Sequence, residues 1–355
     1  MIYMLKRTSL FAFILLFIFA HSSFAASLGP VSSFEELQSA IAASHDQDII
    51  LISGDIHCAD SLPLSTAFPV QIASQPGNRS MLRGLRLNDA NISFSDIDLS
   101  DSLEISGTSY IHLLSGVVVT GSDHRNGISF HGDGMLIVDK GVSVTGGNER
   151  AGISLTHAGS EFYASLEGRI FGGSGYEGGP GVVISPLSGS GTIMVSGTIY
   201  GGTGDAIGGN ALNLYALSSN AFITVSGNLH GGSGSIGGDG IQLVSASDRV
   251  NVGISGIVKG GAGKAYGGDA VMLMNAAGGS SIHLSGSFSG GDALNSDAIP
   301  GTALQLVGDM TALRTRVENC LLEDGRSILP VQPDITPLPE IESSINTLDS
   351  YDFAE

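Results

Sequence analysis

The sequence predicts an all-β chain: a parallel β-helix of three short strands per coil, with a short helix capping its N-terminal end. Three observations carry this. A four-residue phrase recurs as Gly127-Ile128-Ser129-Phe130, Gly152-Ile153-Ser154-Leu155, Gly181-Val182-Val183-Ile184, Ala211-Leu212-Asn213-Leu214, Gly240-Ile241-Gln242-Leu243, Ala270-Val271-Met272-Leu273 and Ala303-Leu304-Gln305-Leu306. Its successive starts lie 25, 29, 30, 29, 30 and 33 residues apart, a period that marks a solenoid. A second phrase runs out of phase, as in Val195-Ser196-Gly197…Gly201-Gly202 and Val225-Ser226-Gly227…Gly231-Gly232. Finally, Gly supplies 52 of 355 residues without the every-third spacing of collagen.

Within one repeat the apolar-alternating runs are 211–215, 222–226 and 198–200, each bounded by Gly, Asn, Asp or Ser. They are too short for helices and read as strands. A single coil cannot bury its apolar face, whereas stacking the next about 4.8 Å above closes the ladder. The glycines are assigned to sharp corners, where a positive φ carries no penalty without a Cβ.

Residues 1–25 read as an export signal: Lys6 and Arg7, an apolar run over 10–20, then Ser23-Phe24-Ala25. A retained anchor is the alternative, for which the run is short. The mature chain is expected to be exported, secreted or at the outer cell surface with the periplasm as the other destination, and to keep no integral membrane segment. The net charge of −19 becomes −19 − 2 = −21 on losing Lys6 and Arg7. With no basic run, nucleic acid is not an expected partner. A mature chain of 355 − 25 = 330 residues is long for one core, but a solenoid grows along one axis.

Residues 26–55 form the expected cap. Phe34, Leu37, Ala40 and Ile41 keep helical spacing over 32–43, with Ser32 or Ser33 as cap and Glu35 and Glu36 in the first turn. Residues 48–53 then read as a buried strand. The β-helix is assigned to 56–310, with irregular first coils (strands at 70–74, 82–87, 92–99 and 103–105) and regular repeats over 116–306. Residues 311–329 close it, 310–322 forming a last strand or a closing helix. Residues 330–355, with Pro330, Pro333, Pro337 and Pro339 among acids, cannot build a core and read as an extended tail. Cys58 and Cys320 would pair by default in an exported chain. Stacked coils separate them by roughly 35 Å against a limit of about 7 Å, so both are expected to be unpaired and buried.

The helix and strand of the cap resemble the N-terminal cap of pectin-lyase-like right-handed β-helix proteins. The Gly-rich repeats resemble those of autotransporter passengers and bacterial adhesins. The resemblance implies a right-handed coil, as the usual crossover rule also does, and a bacterial surface protein. Two features of that family are missing: alternating strands for a translocator barrel after Leu306, and Asn-Pro-Asn motifs.

Stacking also nominates sites. The position before the first phrase holds Asn126, Ala151, Pro180, Asn210, Asp239, Asp269 and Thr302. Asp239 and Asp269 would lie about 5 Å apart with Asn210 beside them. Two such carboxylates suit a glycosidase acid with its base or nucleophile, or a Ca²⁺ ion. The competing account is that Asn and Asp bond their own backbone in turns, which Pro and Thr in the same lane favour. No cofactor is assigned on this reading, Ca²⁺ being the alternative. Arg125 and Arg150 stack in one lane and, with Asn210, are the candidates for ligand contact. Asp123, His124, His131 and Asp133 cluster as a metal or acid–base set would, yet His131 falls above Thr156 as an ordinary rung. Asp96, Asp98 and Asp101 read as the solvated side of a strand rather than a Ca²⁺ site. The glycine corners are neither calcium β-roll nonapeptides nor phosphate loops.

Fold alone does not assign function. A lyase or hydrolase of acidic polysaccharide would need a groove attractive to anions, and this chain is acidic and lacks Trp. Arg169-Ile170-Phe171 is the nearest approach to a polygalacturonase-like Arg-Ile-Lys. The expected function is a non-catalytic, adhesin-like or surface-structural rod binding a host or matrix glycan or protein. Polysaccharide lyase or glycoside hydrolase is the alternative.

Overall fold

The computed structural model describes residues 26–58, 62–158, 162–187, 191–217, 220–246, 249–276, 280–307, 314–317, 320–322 and 327–328. The export signal expected over 1–25 and the tail expected over 330–355 lie outside them.

The recurring phrase stacks on itself. Ile128 pairs with Ile153, Ile153 with Val182, Val182 with Leu212, Leu212 with Ile241, Ile241 with Val271 and Val271 with Leu304, all in parallel. This is the first column of strands. A second column runs through Tyr163–Leu166, Thr192–Val195, Phe222–Val225, Asn251–Ile254, Ser281–Leu284 and Arg314–Val317. The third runs through Arg169–Phe171, Thr198–Tyr200, Asn228–His230, Ile257–Lys259, Ser287–Ser289 and Cys320–Leu322. The chain is a parallel β-helix.

Alternation along each strand places one residue in two inside the coil. Ile170, Ile199, Leu229, Val258 and Phe288 stack one above another and are buried. Leu155, Ile184, Leu214, Leu243 and Leu273 do the same in the first column. Each coil therefore completes the apolar surface and the hydrogen-bond ladder of its neighbour.

The helix α1 spans Phe34–Ala43. The Ser33 hydroxyl accepts the Glu36 N–H at 3.2 Å, and the Glu36 carboxylate accepts the Ser32 N–H at 2.7 Å, a capping box displaced by one residue. Leu37 and Ile41 turn inward over the open end of the core. The strand after it is Ile49–Ile52, and an unforeseen strand, Ser27–Val31, pairs with it in parallel before the helix begins. The expected strand at 92–99 is two, Asn91–Ser95 and the start of Asp98–Leu113, because Asp96 turns the chain at φ 49°.

The three columns stand as expected, and four coils carry a further strand outside them. A fourth column, Gly175–Glu177, Gly204–Ile207, Gly234–Ile236 and Gly263–Tyr266, forms a separate parallel sheet. Each coil leaves the third column, runs out along this sheet and returns to the first. The two legs meet at a neck closed by Gly179 N–H to Gly173 O, Gly209 to Gly202, Gly238 to Gly232 and Gly268 to Gly261, at 2.7–2.9 Å. The result is a thin fin.

The fin corrects the reason given for the glycines. Among the described residues, the glycines with positive φ fall between Gly29 and Gly141, Gly132, Gly134 and Gly141 being in the first regular coils. Beyond Gly152, among the described residues, the left-handed corners fall on Ala216, Asn220, Ser245, Arg249 and Asn275, at φ 49–67°. The repeat glycines serve close backbone approach: a Cβ on Gly173 would sit on the Gly147 carbonyl oxygen, and one on Gly209 on that of Gly179.

Cys58 is buried near the first coil, while the Cys320–Leu322 strand lies at the far end of the third column. Their separation excludes a bridge between them, and burial pushes the Cys58 thiol up to about 11. The closing segment is strand rather than helix over its described residues, and Cys320–Leu322 takes an antiparallel partner in Ser327–Ile328. Among the described residues no helix is long and apolar enough to cross a membrane.

Candidate functional site

The lane before the first column is where the sequence nominated chemistry, and its backbone explains its residues. The carbonyls of Ala151, Pro180, Asn210, Asp239, Asp269 and Thr302 each accept an N–H from the coil before, at 2.8–3.1 Å. That ladder bond leaves the amide of the lane residue itself to be satisfied. A side-chain oxygen one coil earlier does so. Asn126 Oδ1 accepts the Ala151 N–H at 3.1 Å, Asn210 Oδ1 that of Asp239 at 2.6 Å and Asp239 Oδ1 that of Asp269 at 2.8 Å. Asp269 Oδ1 accepts both the N–H and the hydroxyl of Thr302, each at 2.7 Å.

Asp239 and Asp269 are therefore stacked neighbours, as expected, and 7% and 8% exposed. Burial pushes the Asp239 carboxyl up to about 7; the Asp269 N–H opposes the rise and the Asp269 charge adds to it. Burial likewise raises Asp269, against the pull of Thr302. An acid held half-protonated near neutrality can move a proton, and two carboxylates can share a cation. Here one oxygen of each is committed to an amide. Among the described residues no three His, Cys, Asp or Glu side chains come together as a metal-binding group.

Beside the lane lies a polar patch that sequence reasoning missed. Asn210 Nδ2 donates to Asn213 Oδ1 at 2.8 Å and to Gln242 Oε1 at 3.2 Å. The Tyr215 hydroxyl donates to the same Gln242 oxygen at 3.0 Å, and burial with the Asp239 charge holds that phenol above its ordinary value. Asn213 is itself buried. The signal was present: Asn213 and Gln242 occupy the third place of the recurring phrase, the outward position of the strand.

The arginine candidates stand elsewhere. Arg125 is ion-paired to Glu104 at 3.0 Å, and Arg150 follows it in the lane as foreseen, exposed. Pro180 and Asn210 intervene in the lane before Asp239, so the arginines and the stacked acids form no single site. The Asp123–Asp133 group disperses as well. Asp123 accepts from Asn148 at 2.8 Å, His131 meets Thr156 at 3.2 Å in the expected rung, and Asp133 pairs with Thr108 on the neighbouring coil. Asp98 holds Arg79 at 2.6 Å, while Asp96 and Asp101 form left-handed corners.

No protein-family model and no curated protein matches this chain. Among solved structures, the crystal structure of pectate lyase Pel9A is similar, at 12% identity over 79% of this chain and 72% of that one, with a TM-score of 0.32.

Proposed function

We propose that this chain is an exported, non-catalytic β-helix rod of adhesin-like or surface-structural type, which holds a host or matrix glycan or protein against its coil faces. The supporting observation is the use made of the lane acids. Asp239 and Asp269 each spend an oxygen closing the backbone of the next coil, as Asn126 and Asn210 do without any carboxylate. Their position is accounted for by the fold, with no reaction required. The polar patch of Tyr215 and Gln242, backed by the buried Asn213, offers phenol and amide groups of the kind that meet sugar hydroxyls.

One observation favours polysaccharide hydrolysis or elimination as a second reading: the Asp239 carboxyl, raised to about 7. Protein comprising residues 26–355 would be presented with acidic and neutral polysaccharides and matrix proteins, with and without Ca²⁺. Retention, reducing ends and unsaturated uronates would be followed together. Retention without turnover is the expected result. Turnover that disappears in Asp239→Asn, which keeps the lane acceptor but carries no titrating proton, would replace the rod by an enzyme. Neither retention nor turnover would remove the binding role and leave a structural one.

A further inference from the structure

We propose that the fin is a docking ridge for a second copy of this chain, packed antiparallel to the first. The inference stands apart from any glycan binding by the coil faces. The tip of the fin carries a row of large apolar side chains: Tyr176, Ile207, Ile236, Tyr266 and Ile299, exposed by 67%, 43%, 42%, 52% and 37%. Four of them are rungs of one ladder, Ile207 pairing with Ile236, Ile236 with Tyr266, and Tyr266 with Ile299. Single exposed apolar residues are ordinary on a protein surface, whereas a contiguous row marks a contact. The glycine neck holds this row away from the body of the coil, so no part of the core can cover it.

The row repeats once per coil, every ~4.8 Å. A partner that interdigitates along its length needs the same period, and a second copy has it by construction. Charge chooses the orientation. The residues after Gly175, Gly204, Gly234 and Gly263 are Tyr176, Asp205, Ser235 and Lys264, while Glu177 stands in the rung of Ile207. With the two fins parallel, each rung faces itself and sets Glu177 against the partner's Glu177, Asp205 against the partner's Asp205 and Lys264 against the partner's Lys264. With the fins antiparallel, Tyr176 faces the partner's Lys264, Glu177 the partner's Tyr266, Asp205 the partner's Ser235 and Ile207 the partner's Ile236. Only the second arrangement avoids like charges. It is isologous, so it closes as a dimer rather than growing into a filament.

The test is the mass of residues 26–355 in light scattering over a wide concentration series, with far-UV circular dichroism and melting as folding controls. A concentration-dependent dimer is expected, lost in Ile236→Lys while the fold is retained. Lys264→Glu should weaken it by about two- to thirtyfold, since it replaces the ammonium facing the partner's Tyr176 ring by a carboxylate, twice by symmetry. Orientation is read by cross-linking. An oxidised mixture of Ile207→Cys and Ile236→Cys proteins should give the mixed covalent dimer, and neither protein alone should give more covalent dimer than the parent. A parent that stays monomeric, a dimer that survives Ile236→Lys, or Ile236→Cys cross-linking to itself as readily as in the mixture would each overturn the proposal.

Discussion

Ala151 and Pro180 occupy the same lane one coil apart, and each lacks what the other would need. Ala151 carries no side-chain oxygen to accept a hydrogen bond, and Pro180 has no N–H to donate. On either side of them the lane runs by side-chain oxygen to backbone amide, from Asn126 to Ala151 and from Asn210 through Asp239 and Asp269 to Thr302. The step from Ala151 to Pro180 lacks both halves of the bond, while Pro180, with no side-chain oxygen, offers nothing to the Asn210 N–H either, so the lane restarts at Asn210. Restoring both halves should therefore succeed where restoring one fails. Pro180→Ala leaves an N–H with no acceptor in the lane, and Ala151→Asn brings an amide oxygen to a ring with no donor. Each should cost about 1 kcal/mol, and the double variant should be better than their sum by about 1–2 kcal/mol. Urea unfolding of the four proteins measures the coupling, and simple additivity would refute the lane as a hydrogen-bonded unit.

Asp239 gives the lane a pH dependence. Its folded carboxyl lies near 7 against an ordinary 3.8, so between those values the folded chain binds more protons than the unfolded one. Its contribution is then complete below pH 3.8 and is lost as pH rises through 7. Asp269 acts in the same direction, while Asp48 and Glu36, whose carboxyls are held low by backbone N–H groups and, for Glu36, the Ser32 hydroxyl, act in the opposite one. Comparing variants isolates Asp239. Asp239→Asn keeps an oxygen for the Asp269 N–H and removes the charge. It should match the parent in acid and exceed it at mildly alkaline pH by on the order of 2 kcal/mol. Asp239→Ala should be less stable than Asp239→Asn at every pH, because it leaves the Asp269 amide unsatisfied.

The register of the first column was legible because each phrase sits over the next at the expected offset, Ile153 over Ile128 and Val182 over Ile153. The stacking of Asp239 on Asp269 followed from the same count. What escaped was what the period alone does not encode. Tyr176, Ile207, Ile236 and Tyr266 recur once per coil like any core position, yet they lie outside the coil, because the glycines before and after them bring two backbone legs together. A glycine chosen for close approach has the same letter as one chosen for positive φ. Ser27–Val31 was missed because Gly29 and Pro30 interrupt it, and Asn213 because an outward polar residue looks solvated until its neighbours are in place.

The two kinds of glycine can be separated by substitution. A Cβ on Gly209 would meet the Gly179 carbonyl of the preceding coil, whereas one on Gly253, within Asn251–Ile254, meets nothing within 4 Å. Gly253→Ala should be neutral or stabilising by about 0.5–1 kcal/mol through the unfolded chain. Gly209→Ala must displace a backbone leg and should destabilise by about 1–3 kcal/mol. The same pair of variants probes the fin, since only Gly209→Ala should also disturb amide exchange in Gly204–Ile207 and Gly175–Glu177. Equal effects of the two substitutions would mean that the neck is looser than its backbone spacing implies.

Ala26 bears on where the mature chain begins. Its N–H donates to Asp48 Oδ1 at 3.0 Å, its carbonyl accepts the Ile49 N–H at 2.9 Å, and Asp48 is 4% exposed. Asp48 Oδ2 accepts the His45 N–H at 2.8 Å, so the carboxylate already closes the turn between α1 and Ile49–Ile52. Removal of residues 1–25 would turn the Ala26 amide into an ammonium facing that carboxylate, replacing a neutral donor by a charged one, and charge-assisted bonds are the stronger. A chain starting at Ala26 should therefore melt higher than the same chain acetylated at Ala26. The difference should shrink as pH rises through the ammonium's titration and should be abolished in Asp48→Asn. Edman or mass analysis of exported protein should find Ala26 first. An equal melting temperature with and without the acetyl group would show that Asp48 serves the turn alone.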